Sequence, residues 1–85
     1  MTACPRQVDG LEISEAADGF VVYDAGRDRV HYLNHTAIIV LELCDGLTSI
    51  ADIAAILQDS YALAEPPLTE VGDCVERMTG EGLIA

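Results

Sequence analysis

The stretch YDAGRDRVHYLNHTAIIVLELCDG, Tyr23 to Gly46, runs a strand end, a short polar loop, a second strand and an apolar helix together with no spacer. A hairpin joined directly to a helix commits the chain to an α+β arrangement in which the helix covers the sheet. Nothing in the stretch has the residues of an active site. The question it raises is what an 85-residue acidic chain does with a hairpin joined directly to a helix.

The strands come first. Leu11-Glu12-Ile13-Ser14 alternates and reads as a short strand, and Ala16 to Gly19 as a turn. Phe20-Val21-Val22-Tyr23-Asp24 is β-branched and aromatic and is the strongest strand. Ala25-Gly26-Arg27-Asp28 turns the chain, and Arg29-Val30-His31-Tyr32-Leu33 is a third strand. Three strands at this spacing form an antiparallel meander.

Three helices come after the meander. Asn34 reads as an N-cap for a helix from about His35 to Cys44, closed by Asp45-Gly46 with glycine as the left-handed cap. Ser49, with Asp52 three residues on, opens a second helix to about Tyr61 with stripe Ile50, Ile53, Ala54, Leu57, Tyr61. After Pro66-Pro67, with Pro67 suited to a first helical position, a third helix runs to about Glu81. It carries Leu68, Val71, Val75 and Met78 on one face, and Gly72 in its middle, where glycine costs ~1 kcal/mol against alanine. Gly82 caps it, and Leu83-Ile84 folds back on the core. A loose arm over residues 1–10 precedes one domain over residues 11–85, the single domain that 85 residues predict.

Charge narrows the function. Fifteen acids face four arginines and no lysine, for a net charge of −11. Nucleic-acid binding needs cations at phosphates, and anionic membrane surfaces need the same, so both are disfavoured. A basic partner would be steered in. The N-terminus has no signal-peptide pattern, no apolar run approaches the ~20 residues that span a bilayer, and three cysteines without a CxxC suit a reducing cytoplasm.

Catalytic and metal readings are weak. Cys44 lies in an apolar helix, where a free cysteine acts as a small hydrophobe, and an acidic chain does not activate a thiol. His31 and His35 have helical spacing but straddle a strand-to-helix junction, with no HExxH pattern and no cysteine pair nearby. Asp59-Ser60-Tyr61 invites comparison with phosphopantetheine carriers, but Ser60 falls at a helix end, and three strands do not fit a four-helix carrier. No enzyme activity and no cofactor are expected.

A binding surface is the remaining candidate. The third strand is a candidate sheet edge, with unpaired N–H and C=O groups for an incoming extended peptide. Val30 and Tyr32 share one face, His31 and Leu33 the other. The plainer alternative is an edge blunted against aggregation by Arg27, Arg29 and His31. Gly72 admits close approach, either of the first helix or of a ligand, and Cys74 and Met78 flank the core stripe.

VHYLNHTAIIVLELCDG, then SIADIAAIL, then DCVERMTGEGLI, resembles the PqqD family. The matching residues are Leu33-Asn34, Thr36-Ala37, Leu43-Cys44-Asp45-Gly46, Ser49 with Asp52-Ile53, Asp73 and Gly82-Leu83. The resemblance implies a winged helix-turn-helix-like α+β domain, a three-stranded antiparallel sheet followed by three helices. It implies a stand-alone, non-catalytic recognition element in the cytoplasm, monomeric or weakly dimeric. Such an element binds the leader of a ribosomally made precursor peptide and delivers it to a modifying enzyme, a radical SAM enzyme before a lasso-pathway leader peptidase. Carried over by position, the peptide-binding residues are Arg29, Val30, His31, Tyr32 and Leu33 on the strand. On the last helix they are Val71, Asp73, Cys74, Val75, Arg77 and Met78. Cys74 stands where the family usually has an aliphatic residue. A winged-helix regulator ranks below this, because Leu68 to Glu81 holds one arginine and four acids.

Overall fold

The structure, a computed structural model, describes residues 4–85. Strands β1 (Leu11–Ala16), β2 (Gly19–Asp24) and β3 (Arg29–Leu33) form an antiparallel sheet in the order β1-β2-β3. Helices α1 (His35–Leu43), α2 (Ile50–Ser60) and α3 (Leu68–Gly80) complete the chain. This is the expected α+β architecture.

The sheet obeys the period-two rule. On β2, Val22 and Asp24 are buried, and their register partners on β3, His31 and Arg29, share that face. Tyr23 and Val21 point the other way, with Val30 and Tyr32 opposite them. β1 runs two residues beyond the expected strand, because Ala17-Asp18 alone makes the turn to Gly19. Gly19 is required there. A Cβ at this position would stand 2.5 Å from the Leu33 carbonyl oxygen, so only glycine lets the first hairpin close against the end of β3.

The helices cover the inner face. Asn34 Oδ1 accepts from the Ala37 amide at 2.8 Å and starts α1, whose Ala37, Ile38, Val40 and Leu41 are buried. Ser49 Oγ accepts from the Asp52 amide at 3.1 Å and starts α2. Pro67 is the N-cap of α3 rather than its first residue. Its ψ of 63° is not helical, its carbonyl closes the first turn to the Val71 amide, and it has no side-chain oxygen to cap with. α3 packs on both other helices. The core gathers Leu41, Ile53, Leu57, Met78 and Leu83, each worth roughly 1.5–3 kcal/mol of gross burial. Leu68 and Tyr61, expected on core stripes, are about half exposed, because each sits at a helix end beyond the last packed turn.

The N-terminal segment is not loose where it is described. Arg6 bridges to Asp45 and Gln7 to Ile84. The Gln7 amide donates to the Cys44 carbonyl, Val8 to Leu83, Gly46 to Pro5 and Ala85 to Arg6. The segment thus ties the end of α1 to the C-terminal tail with backbone bonds that leave no hydropathy pattern in the sequence. Residues 1–3 of the expected arm lie outside the described residues.

Candidate functional site

β3 is an outer strand of the sheet, so one of its two edges is not paired by β2. Its residues divide between the two faces. Val30 is half exposed and Tyr32 is 80% exposed on the outer face, while His31 and Leu33 lie on the face that meets the helices. Arg29 is exposed at the hairpin end.

One contact joins β3 to α3. His31 Nδ1 lies 3.2 Å from Glu81 Oε2, just beyond the last turn of the helix. The His31 side chain is nine-tenths buried, and its Nε2 has no hydrogen-bond partner among the described residues. Leaving such an atom unmet costs free energy comparable to a lost hydrogen bond. His35, four residues on, turns elsewhere and meets Phe20 in a tilted ring contact at 5.2 Å. The two histidines therefore form no joint site.

From Glu81 back toward the start of α3, the residues at helical spacing are Arg77, Cys74 and Glu70. Arg77 is exposed, and its guanidinium neighbours the Cys74 thiol. Burial raises the Cys74 pKa, while Arg77 opposes the rise without reversing it. Cys44 is pushed up to about 11, by burial first and then by Cys74 and Asp45. Neither thiol is set up as a nucleophile.

Cys74 and Glu70 form one side of an apolar cavity of about 400 Å³. Val71 and Pro67 continue that side, Thr36 and Val40 come from α1, and Leu57, Tyr61 and Leu63 close it from α2 and the loop after it. The volume lies within the range of small-molecule pockets, and the lining suits a large apolar side chain. Thr36 comes three residues after β3, so the cavity lies beyond the C-terminal end of the strand. α3 runs antiparallel to β3, with Glu81 beside His31 and Glu70 near Thr36.

The structure brings some expected residues together and withdraws others. Val71 and Cys74 line the cavity, and Arg77 stands beside them. Asp73 is exposed. Val75 belongs to the core, and Met78 is fully enclosed, so it has no surface to offer a ligand as the structure stands. A Cβ at Gly72 would meet nothing within 4 Å, so the first helix does not approach it. The cavity residues Thr36, Val40, Leu57, Tyr61, Leu63, Pro67 and Glu70 lie outside the set that the sequence points to. In the sequence only the doubled proline Pro66-Pro67 marks this region, since Val40, Leu57 and Tyr61 read there as core-stripe positions.

Residues 19–84 match the family model described as Coenzyme PQQ synthesis protein D (PqqD). No curated protein matches the chain significantly. Among solved structures, the fold is similar to that of a lasso peptide synthetase B1 complexed with the leader peptide. The TM-score is 0.77 at 21% identity, over 98% of this chain and 99% of that one.

Proposed function

The chain belongs to the PqqD family, and from that membership we propose that it is a non-catalytic recognition element for the leader of a ribosomally synthesised precursor peptide. One observation carries the reading: the open outer strand β3 runs alongside α3 toward an apolar cavity. An extended leader adds to β3 through main-chain hydrogen bonds, which are indifferent to sequence. A large apolar leader residue enters the cavity between Thr36, Val40, Tyr61, Val71 and Cys74, which supplies selectivity. Arg29, Val30, His31, Tyr32 and Leu33 form the strand side of this site. Val71, Asp73, Cys74 and Arg77 form the helix side, with Val75 and Met78 supporting it from the core.

The similar fold seen in a leader-peptide complex supports this reading. The partner is a modifying enzyme, with a radical SAM enzyme as the first choice. The lasso-pathway alternative, in which the chain serves a leader peptidase, is favoured by that same structural likeness. No helix among the described residues is long and apolar enough to cross a membrane.

Fluorescence polarisation with the labelled leader of a short precursor encoded beside this gene tests the proposal. Saturable binding at micromolar affinity or tighter is expected. No binding to any neighbouring peptide, with or without the neighbouring enzyme present, would overturn it.

A further inference from the structure

The chain carries only four arginines against fifteen acids, and they are not spread evenly. Arg6 is paired with Asp9 at 3.5 Å. Of the other three, Arg27 and Arg29 lie toward the hairpin end of the β3–α3 cleft, and Arg77 lies between the His31–Glu81 contact and the cavity. Arg29 is on β3, Arg27 packs over Gly82 just past α3, and Arg77 stands one turn before Glu81. Among the described residues none of the three has a carboxylate within ion-pair distance.

That is unexpected for Arg77 in particular. Asp73 and Glu81 lie one turn away on either side of it, and helical spacing would let either pair with it. Glu81 is instead turned toward His31. The arginine is left exposed above Cys74, on the side of α3 that looks into the cleft. At the other end of the cleft the charge reverses, with Glu70 on the cavity wall.

Resting on the leader-binding reading above, we propose that Arg77 recognises an acidic side chain on the bound peptide. A strand added to β3 turns every second side chain toward α3. The residue that enters the cavity and the residue that meets Arg77 therefore lie on one face of the peptide, an even number of positions apart. The acid lies on the hairpin side of the residue that enters the cavity, close to it along the peptide. A carboxylate meets a guanidinium in a directional, charge-assisted pair. The acids elsewhere on this protein do not forbid it, because at physiological salt their field is screened beyond about 8 Å. They do make an acidic peptide depend on this arginine: without it, the chain's net charge repels such a peptide.

The test is selection of a random 20-residue peptide library, made by mRNA display, on the whole protein and on Arg77→Glu. Arg77 is exposed, so the variant is expected to fold, which circular dichroism checks. Peptides selected on the unaltered protein are expected to share a large apolar residue with an acid at even spacing. Those selected on Arg77→Glu are expected to keep the apolar residue and replace the acid with Lys or Arg. For a selected peptide, changing the acid to its amide should weaken binding about 3- to 10-fold on the unaltered protein and less than about 2-fold on Arg77→Gln. An apolar motif without an acid, or the same acid selected on Arg77→Glu, would overturn the inference and leave leader recognition standing. Failure to enrich any peptide on the unaltered protein would overturn both.

Discussion

His31 Nδ1 and Glu81 Oε2 stand 3.2 Å apart across 50 residues of sequence, and this pair ties the outer strand to the end of the last helix. The two partners are not equivalent, because His31 is nearly buried and Glu81 is partly exposed. Glu81→Ala leaves both nitrogens of a nine-tenths-buried imidazole without a protein partner and is expected to destabilise the fold by about 1 kcal/mol. His31→Leu removes both buried nitrogens and should cost less. Chemical denaturation of the two variants gives the order, and a larger loss for His31→Leu would contradict it.

Gly19 makes a sharper structural prediction. Gly19→Ala drives a methyl into the Leu33 carbonyl and should cost about 1–3 kcal/mol, as overpacking at backbone does. The same change at Gly72, which faces open space inside a helix, should stabilise by up to ~1 kcal/mol. Thermal melts of both variants check the pair of signs.

Alkaline pH should weaken the fold through its buried thiols. The Cys44 pKa is raised from its ordinary 9.0 to about 11, and Cys74 is raised as well. A raised pKa means that the unfolded chain gives up these protons first. Their contribution is therefore complete below pH 9.0 and declines as pH climbs from there to about 11. Tyr23, held protonated chiefly by its hydrogen bond to Asp28, adds in the same direction above its ordinary 10.0. Urea denaturation at about pH 8 and about pH 10.5 should show this loss, and Cys44→Val should reduce it. An unchanged slope in Cys44→Val would contradict the assignment to Cys44.

The mouth of the cavity can be blocked without touching the core. Thr36 is exposed on the first turn of α1 and lines the cavity. Thr36→Trp is expected to leave the melting temperature within a few degrees of the unaltered protein and to weaken leader binding at least 10-fold, which polarisation titration measures.

Much of the fold is legible in the sequence because it rests on local rules. The bounds of β3, the Asn34 and Ser49 caps and the left-handed Gly82 after α3 each depend on a few neighbouring residues. Gly46 has the expected positive φ but donates its amide to the remote Pro5, while Cys44 caps α1. The N-terminal pairing is not legible, because Gln7 and Val8 contribute backbone groups whose partners at Cys44 and Leu83 are remote. The site is legible on the strand and only partly on the helix. Helical periodicity puts Cys74 and Met78 on neighbouring positions, but only packing shows that Cys74 reaches the cavity while Met78 is enclosed. The cavity itself draws on α1, α2, the loop after it and α3, and no single window of sequence contains that arrangement.

Strand addition has a backbone signature. Along β3, successive N–H groups point alternately to β2 and away from it. Of Val30→Pro and His31→Pro, one should disrupt the β2–β3 ladder and lower stability by several kcal/mol, on the order of what proline costs inside regular structure. The other should stay folded and lose leader binding. Circular dichroism and polarisation together separate the two outcomes.

The most direct measurement is amide hydrogen exchange, read by NMR on ¹⁵N-labelled protein, with and without a saturating leader peptide. Slowed exchange at alternate amides of Arg29 to Leu33, with resonance shifts at Thr36, Val40 and Cys74, is the predicted result. Saturable binding that leaves the β3 amides exchanging as before would contradict docking by strand addition.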